Sequence, residues 1–156
     1  MSSEIRILLA EDSEAGRTQW EALESHLRES LAPCELARTE ALNGSDLLLK
    51  HRSLCRQGRQ PDLIVLDLHL PAAAPVTTRK PGSHPSTIKA GVWLAIHLRR
   101  AGNETSKIVL WSNNILANEV NDAFAFSTIE INGLPLGDAV LDKASDTSEQ
   151  ARSLID

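Results

Sequence analysis

Short, continuously apolar runs alternate along this chain with longer stretches in which apolar residues recur every three or four positions. The first kind includes EIRILLA (4–10), DLIVLDL (62–68) and KIVLWS (107–112), with weaker candidates in CELART (34–39) and DAVLDK (138–143). Runs this short and this uniformly apolar predict strands buried on both faces. The second kind predicts helices. Ser13 is an N-cap candidate ahead of Trp20, Leu23, Leu27 and Leu31, which recur at helical spacing until Pro33 ends the run. NGSDLLLKHRSLC (43–55) opens on turn residues and continues with helix formers, and IKAGVWLAIHLRRAG (88–102) closes on a glycine. NNILANEV leads into a helix to about Phe126, and SDTSEQARSLI (145–155) reads as a capped terminal helix.

Five strands alternating with five helices predict an α/β sandwich around a parallel sheet, because parallel neighbours need crossover connections. In such sheets ligands sit beyond the carboxyl ends of the strands. There the run LIVL ends on Asp67, and the first strand ends on Glu11 and Asp12. Two stretches break the rhythm. PAAAPVTTRKPGSHPST (71–87) holds four of the seven prolines and no apolar period, which predicts a long loop. FSTIEINGLPLG (126–137) carries the turn signature Asn132-Gly133, between an extra strand and the last one.

Composition changes the picture only by exclusion. The 156 residues suffice for one domain with a real core, so 1–156 is read as a single domain with an inserted loop at 72–90. Sixteen basic against twenty-one acidic residues leave a formal charge of −5, which disfavours nucleic acid as a partner. Cys34 and Cys55 have no metal-ligand spacing and read as reduced thiols. No apolar run approaches membrane length, and the N-terminus lacks a signal peptide's basic region and cleavage site. The expectation is a cytoplasmic protein with no membrane partner.

Taken in order, the strand ends present Glu11 and Asp12, then Asp67, Ser112 and Lys143. Together with the stretches ILLAEDSE, EALNGSDLL, PDLIVLDLHLP, IVLWSNN and AVLDKAS, this set resembles the receiver domain of two-component response regulators, the CheY-like phosphoacceptor domain. The resemblance spans nearly the whole chain. It implies a flavodoxin-like three-layer sandwich with a five-stranded parallel sheet in the order 2-1-3-4-5. It further implies that Asp67 is the phosphoacceptor, with Ser112 and Lys143 assisting. Mg²⁺ would be held by Glu11, Asp12, Asp67 and the backbone carbonyl of His69. The donor would be a histidine kinase or phosphotransfer protein, and the output a conformational change read by a downstream protein partner.

Elementary electrostatics agrees with that role. Two unit charges about 4 Å apart repel by about 4 kcal/mol at an effective dielectric near 20, so converging carboxylates either take up protons or bind a cation. An all-oxygen set suits Mg²⁺. A carboxylate can act as nucleophile, and a phosphoryl group adds roughly −1.5 to −2 charges. A hydrogen bond to a charged acceptor is worth about 1.5–3 kcal/mol, whereas moving a switch from 1:99 to 99:1 takes about 5.5 kcal/mol. Ser112 alone therefore cannot throw the switch.

Each residue also has a plain structural reading. Asp67 could be a solvated loop acid, Glu11-Asp12 the charged lead-in to a helix, Ser112 part of a cap, Lys143 a surface lysine, His69 a loop histidine, and Trp20, Trp93 and Trp111 core. The sequence also departs from the receiver pattern. Gly91, preceded by Ala90, comes twenty residues after Pro71, and the intervening loop carries Arg79, Lys80, His84 and Lys89. That loop is either a lid or docking arm over the site or a disordered insertion, and limited proteolysis with and without a phosphate mimic separates the two. Val140 stands where an aromatic is expected, the chain has no tyrosine, Ala144 replaces the proline after the lysine, and Asn113 replaces a small residue. His69 and Asn114 occupy positions that tune dephosphorylation in the family.

Two other readings follow. One is a pseudo-receiver that acts as a phosphorylation-independent interaction module. The other is a haloacid-dehalogenase-type phosphohydrolase, disfavoured because the second acid it needs two residues after Asp67 is His69. No DNA-binding or enzymatic output region follows within these residues, and ARSLID stops in mid-helix, so a stand-alone regulator or a fragment is expected.

Overall fold

The computed structural model describes residues 4–11, 13–67, 90–100, 106–112, 130, 131, 133–135, 137–143 and 147–155. Along the chain these form β1 (Glu4–Ala10), α1 (Glu14–Leu31), β2 (Glu35–Ala41), α2 (Gly44–Arg56), β3 (Leu63–Leu66), α3 (Ala90–Arg100), β4 (Lys107–Ser112), β5 (Glu130–Ile131), β6 (Leu134–Pro135), β7 (Ala139–Asp142) and α4 (Thr147–Ile155). The loop expected at 72–90 lies outside the described residues up to Ala90, which already belongs to α3. The helix expected after Asn113 also lies outside them.

Five strands make one parallel sheet in the order β2-β1-β3-β4-β7. This is the expected 2-1-3-4-5 arrangement, with β7 as the fifth strand. The extra strand is a separate antiparallel hairpin of β5 and β6. The chain reverses there at Gly133, whose φ of +80° lies in the left-handed region that glycine adopts without a Cβ clash.

Strand periodicity divides the core. Leu8, Ile64, Leu66, Ile108 and Leu110 join one apolar cluster with Leu47 of α2 and Leu94 and Leu98 of α3. Ile7, Leu9, Leu63, Val65, Val109, Trp111 and Leu141 join the other with Trp20, Leu23 and Leu27 of α1 and Ala151 of α4. Successive residues thus point to opposite layers, and both layers are covered, which is why the strands read as unbroken apolar runs.

Two strands differ in length from the sequence reading. β3 spans Leu63–Leu66, and Asp62 just before it clasps both neighbouring strands: its carboxylate accepts from the Arg6 amide at 2.8 Å, its own amide donates to the Arg6 carbonyl at 2.8 Å, and its carbonyl accepts from the Lys107 amide at 2.9 Å. β2 runs on to Ala41, whose carbonyl accepts from the Glu11 amide at 3.0 Å. Ser13 caps α1 as expected, its hydroxyl accepting from the Gly16 amide at 2.9 Å.

Candidate functional site

Sheet register brings the chemistry together. Ala10 pairs with Leu66 and Leu66 with Leu110, so Glu11, Asp67 and Trp111 continue one row across β1, β3 and β4. Trp111 pairs with Leu141 of β7, and Lys143 follows two residues on. All four continue the strand positions that face α1 and α4. Residues separated by more than a hundred positions therefore meet at one edge of the sheet.

The Lys143 ammonium is the hub. Its Nζ donates to Glu11 Oε2 at 2.6 Å and to Asp67 Oδ2 at 2.7 Å. It also lies 4.7 Å from the centroid of the Trp111 ring, a cation–π contact. All three charged residues are buried: Glu11 is 1%, Asp67 8% and Lys143 5% exposed. The plain alternatives of a solvated loop acid at Asp67 and a surface lysine at Lys143 do not survive these values. Burial pulls the Lys143 pKa down, but hydrogen bonds and charge from Asp67 and Glu11 outweigh it and raise the ammonium above its ordinary value. The lysine stays charged.

A second layer fixes these groups. Glu11 Oε1 accepts from the Ser13 amide at 3.1 Å and from its hydroxyl at 3.0 Å, at the positive end of α1. The Gln19 amide donates to the Lys143 carbonyl. Trp111 sets its indole N–H on Gln150 Oε1 of α4 at 2.6 Å and packs edge-on against Trp20, ring centroids 5.5 Å apart at 75°. Gly16, Gln19, Trp111 and Gln150 were not legible as site residues. A glycine in the first turn of a helix was the one available signal, since glycine is a poor helix former.

Of the predicted set, Glu11, Asp67 and Lys143 are brought together. Asp12 and His69 lie outside the described residues, as do Asn113, Asn114 and Ala144. Ser112 is the last residue of β4 and pairs in register with Asp142, but its side chain lies outside the description. Val140 is half-buried and packs on the α2–α3 cluster. Among the described residues no three metal-ligating side chains gather. Two carboxylates nevertheless converge on a single cationic nitrogen, so the hollow accepts positive charge, and its oxygen-only donors fit a hard divalent ion. Among the described residues the two carboxylates share one ammonium.

This architecture, a parallel sheet in that order with acids and a lysine at its carboxyl edge, is the fold of response-regulator receiver domains. The phosphorylated cyanobacterial phytochrome response regulator RcpA superposes with a TM-score of 0.61 at 18% identity, over 97% of this chain and 89% of its own. A two-component response regulator from Cytophaga hutchinsonii gives 0.61 at 15% identity, over 99% and 98%. The Mn²⁺-bound form of response regulator Rcp1 gives 0.50 at 17%, over 96% and 88%. No protein-family model matches the sequence, and no curated protein matches it. Among the described residues, no helix is long and apolar enough to cross a membrane.

Proposed function

We propose that this chain is a receiver that takes a phosphoryl group on Asp67 from a histidine kinase or phosphotransfer protein and signals to a protein partner by conformational change. The observation that carries the reading is the buried Lys143 ammonium bound at once to Asp67 and Glu11, at the strand edge where receivers of the same fold keep their site. An Asp67 carboxylate oxygen attacks phosphorus, the bond from phosphorus to the donor histidine nitrogen breaks, and that nitrogen leaves with the electron pair. Lys143 then exchanges its carboxylate contact for the new phosphoryl oxygens, whose charge it offsets. Ser112, at the end of β4, would supply a hydroxyl to the same group. Mg²⁺, when bound, would neutralise charge on the transferred group, and Asp67, Glu11, Asp12 and the His69 carbonyl are its expected contacts. The chemistry is confined to the chain's own phosphorylation and dephosphorylation.

Incubation with acetyl phosphate and Mg²⁺ followed by intact mass measurement tests this. The expected result is a gain of one phosphoryl group that Asp67→Asn abolishes. No gain, or a gain that survives the substitution, overturns it. Val140 supports a second reading, a pseudo-receiver that binds partners without phosphorylation: a small aliphatic stands where the aromatic of the usual switch is expected. Partner capture equal in wild type and Asp67→Asn would favour it.

A further inference from the structure

Across the sheet from Trp111, the α2–α3 layer carries a concavity of its own. Both helices run back from the carboxyl edge, and between their C-terminal halves lies a cavity of about 460 Å³. Small-molecule sites span about 300–1,000 Å³. Leu48 and Leu98 give this one apolar walls. Its polar lining is Arg52, Arg100, His51, His97 and Cys55, and among the described residues no carboxylate joins them. In a chain of net charge −5 this is a local reversal of sign. Helix stability does not account for all of it. His97 and Arg100 lie in the last turn of α3, where positive charge offsets the helix dipole, but the last turn of α2 has Arg56 for that purpose, and Arg52 lies a turn earlier. Arg6, Arg28, Arg38, Arg59 and Arg99 pair with carboxylates, whereas Arg52 and Arg100 form no ion pair among the described residues. Burial pushes the His51 imidazole below its ordinary pKa, so the fixed charges of the cavity are the two guanidiniums. Cys55 Sγ lies 3.6 Å from His51 Nε2, which ties together two side chains of the α2 wall.

We propose that this cavity binds a small organic phosphate monoester, with its phosphoryl group on Arg52 and Arg100 and its apolar body on Leu48 and Leu98. Charge selects that chemistry. A monoester carries roughly −1.5 to −2 charges at neutral pH, which matches two guanidiniums, whereas a carboxylate leaves one unmatched. Arginine also presents paired N–H donors in a fork that fits phosphate oxygens. The cavity is at the amino end of the sheet, where α2 and α3 finish, and in the layer opposite Lys143. Its occupancy is independent of the receiver reading.

Phenyl phosphate is the probe that tests it. Titration into the full chain, read by NMR of the His51 and His97 rings, should saturate. The apolar walls should make phenyl phosphate bind about tenfold more tightly than inorganic phosphate, and benzoate should bind more weakly than phenyl phosphate. Arg52→Gln and Arg100→Gln, both at exposed positions, should each weaken phenyl phosphate by about tenfold, the worth of a charged hydrogen bond. Cys55 gives a local readout, because it lines the cavity and Cys34 does not. Bound phenyl phosphate should slow alkylation of Cys55 by iodoacetamide and leave Cys34 unchanged, both followed by peptide mass mapping. Failure to saturate, or undiminished binding after both arginine substitutions together, overturns the site. Saturation without protection of Cys55 puts the ligand elsewhere and overturns it as well. Affinity for benzoate or inorganic phosphate equal to that for phenyl phosphate overturns the assignment to a monoester.

Discussion

The two ends of the sheet handle buried charge in opposite ways. At the amino end Arg99, 3% exposed, meets Asp138: its Nη2 donates to Asp138 Oδ2 at 3.1 Å and its Nη1 to the Ser106 carbonyl at 3.0 Å. Asp138 Oδ2 also accepts from the Ile108 amide at 2.9 Å, and the Asp138 amide returns a bond to the Ile108 carbonyl at 2.7 Å. Among the described residues that pair matches one cation to one anion, and it ties both to backbone at the start of β4 and β7. It sets register. At the carboxyl end, among the described residues, one ammonium serves two buried carboxylates. A balanced pair locks structure, whereas an unbalanced one is poised for a further cation or for chemistry that consumes a carboxylate.

The sharpest way to break this contrast is Lys143→Met. It leaves Glu11 and Asp67 buried together without their cation, so unfolding by urea should show a loss of about 3 kcal/mol. Phosphoryl labelling should vanish, and added Mg²⁺ should restore part of the stability but not the labelling. Arg99→Met comes next. It should cost about 2 kcal/mol by the same denaturation measurement, from the unmade charged hydrogen bonds, yet leave Asp67 labelling intact. A labelling defect in Arg99→Met would erase the division of labour between the two ends.

Alkaline pH should separate the ends without mutation. The Lys143 pKa is raised in the fold above its ordinary 10.5, chiefly against burial by hydrogen bonds to Asp67 and Glu11. Its contribution to stability is thus fully present below 10.5 and is lost as pH climbs through the higher folded value. Arginine keeps its proton throughout. Thermal melts across that range should show an alkaline loss that persists in Arg99→Met and disappears in Lys143→Met.

The smallest effect concerns the support beneath the lysine. Trp111→Phe keeps a ring under the ammonium but removes the indole donor to Gln150 of α4. About 1 kcal/mol of stability should go, read by urea titration, with labelling slowed only slightly. A collapse of labelling would instead mean that α4 takes part in holding the site.

Much of this was readable before any coordinates. Apolar runs buried on two faces have no polar alternation to disguise them, so the strands and the sheet class were legible, and Ser13 announced α1 through its cap. The acids and the lysine could be placed at the strand ends because a parallel sheet directs all its carboxyl ends to one edge. Gly16 carried a weak signal as a poor helix former in a first turn. Trp111 read only as core, since nothing local distinguishes an indole that faces a cation from one that faces leucine.

The amino-acid order by itself therefore determined which segments become strands and helices, and which charged residues lie at the edge where a ligand can reach. Period and composition are local, and they act before the chain closes. Only the folded arrangement decided that Lys143 spans 132 positions to Glu11 and 76 to Asp67, that the ammonium lies on Trp111, and that glutamate lies where Gly16 leaves space. Those contacts depend on register between strands distant in sequence and on sub-ångström clearances. Such quantities exist only once the layers have packed.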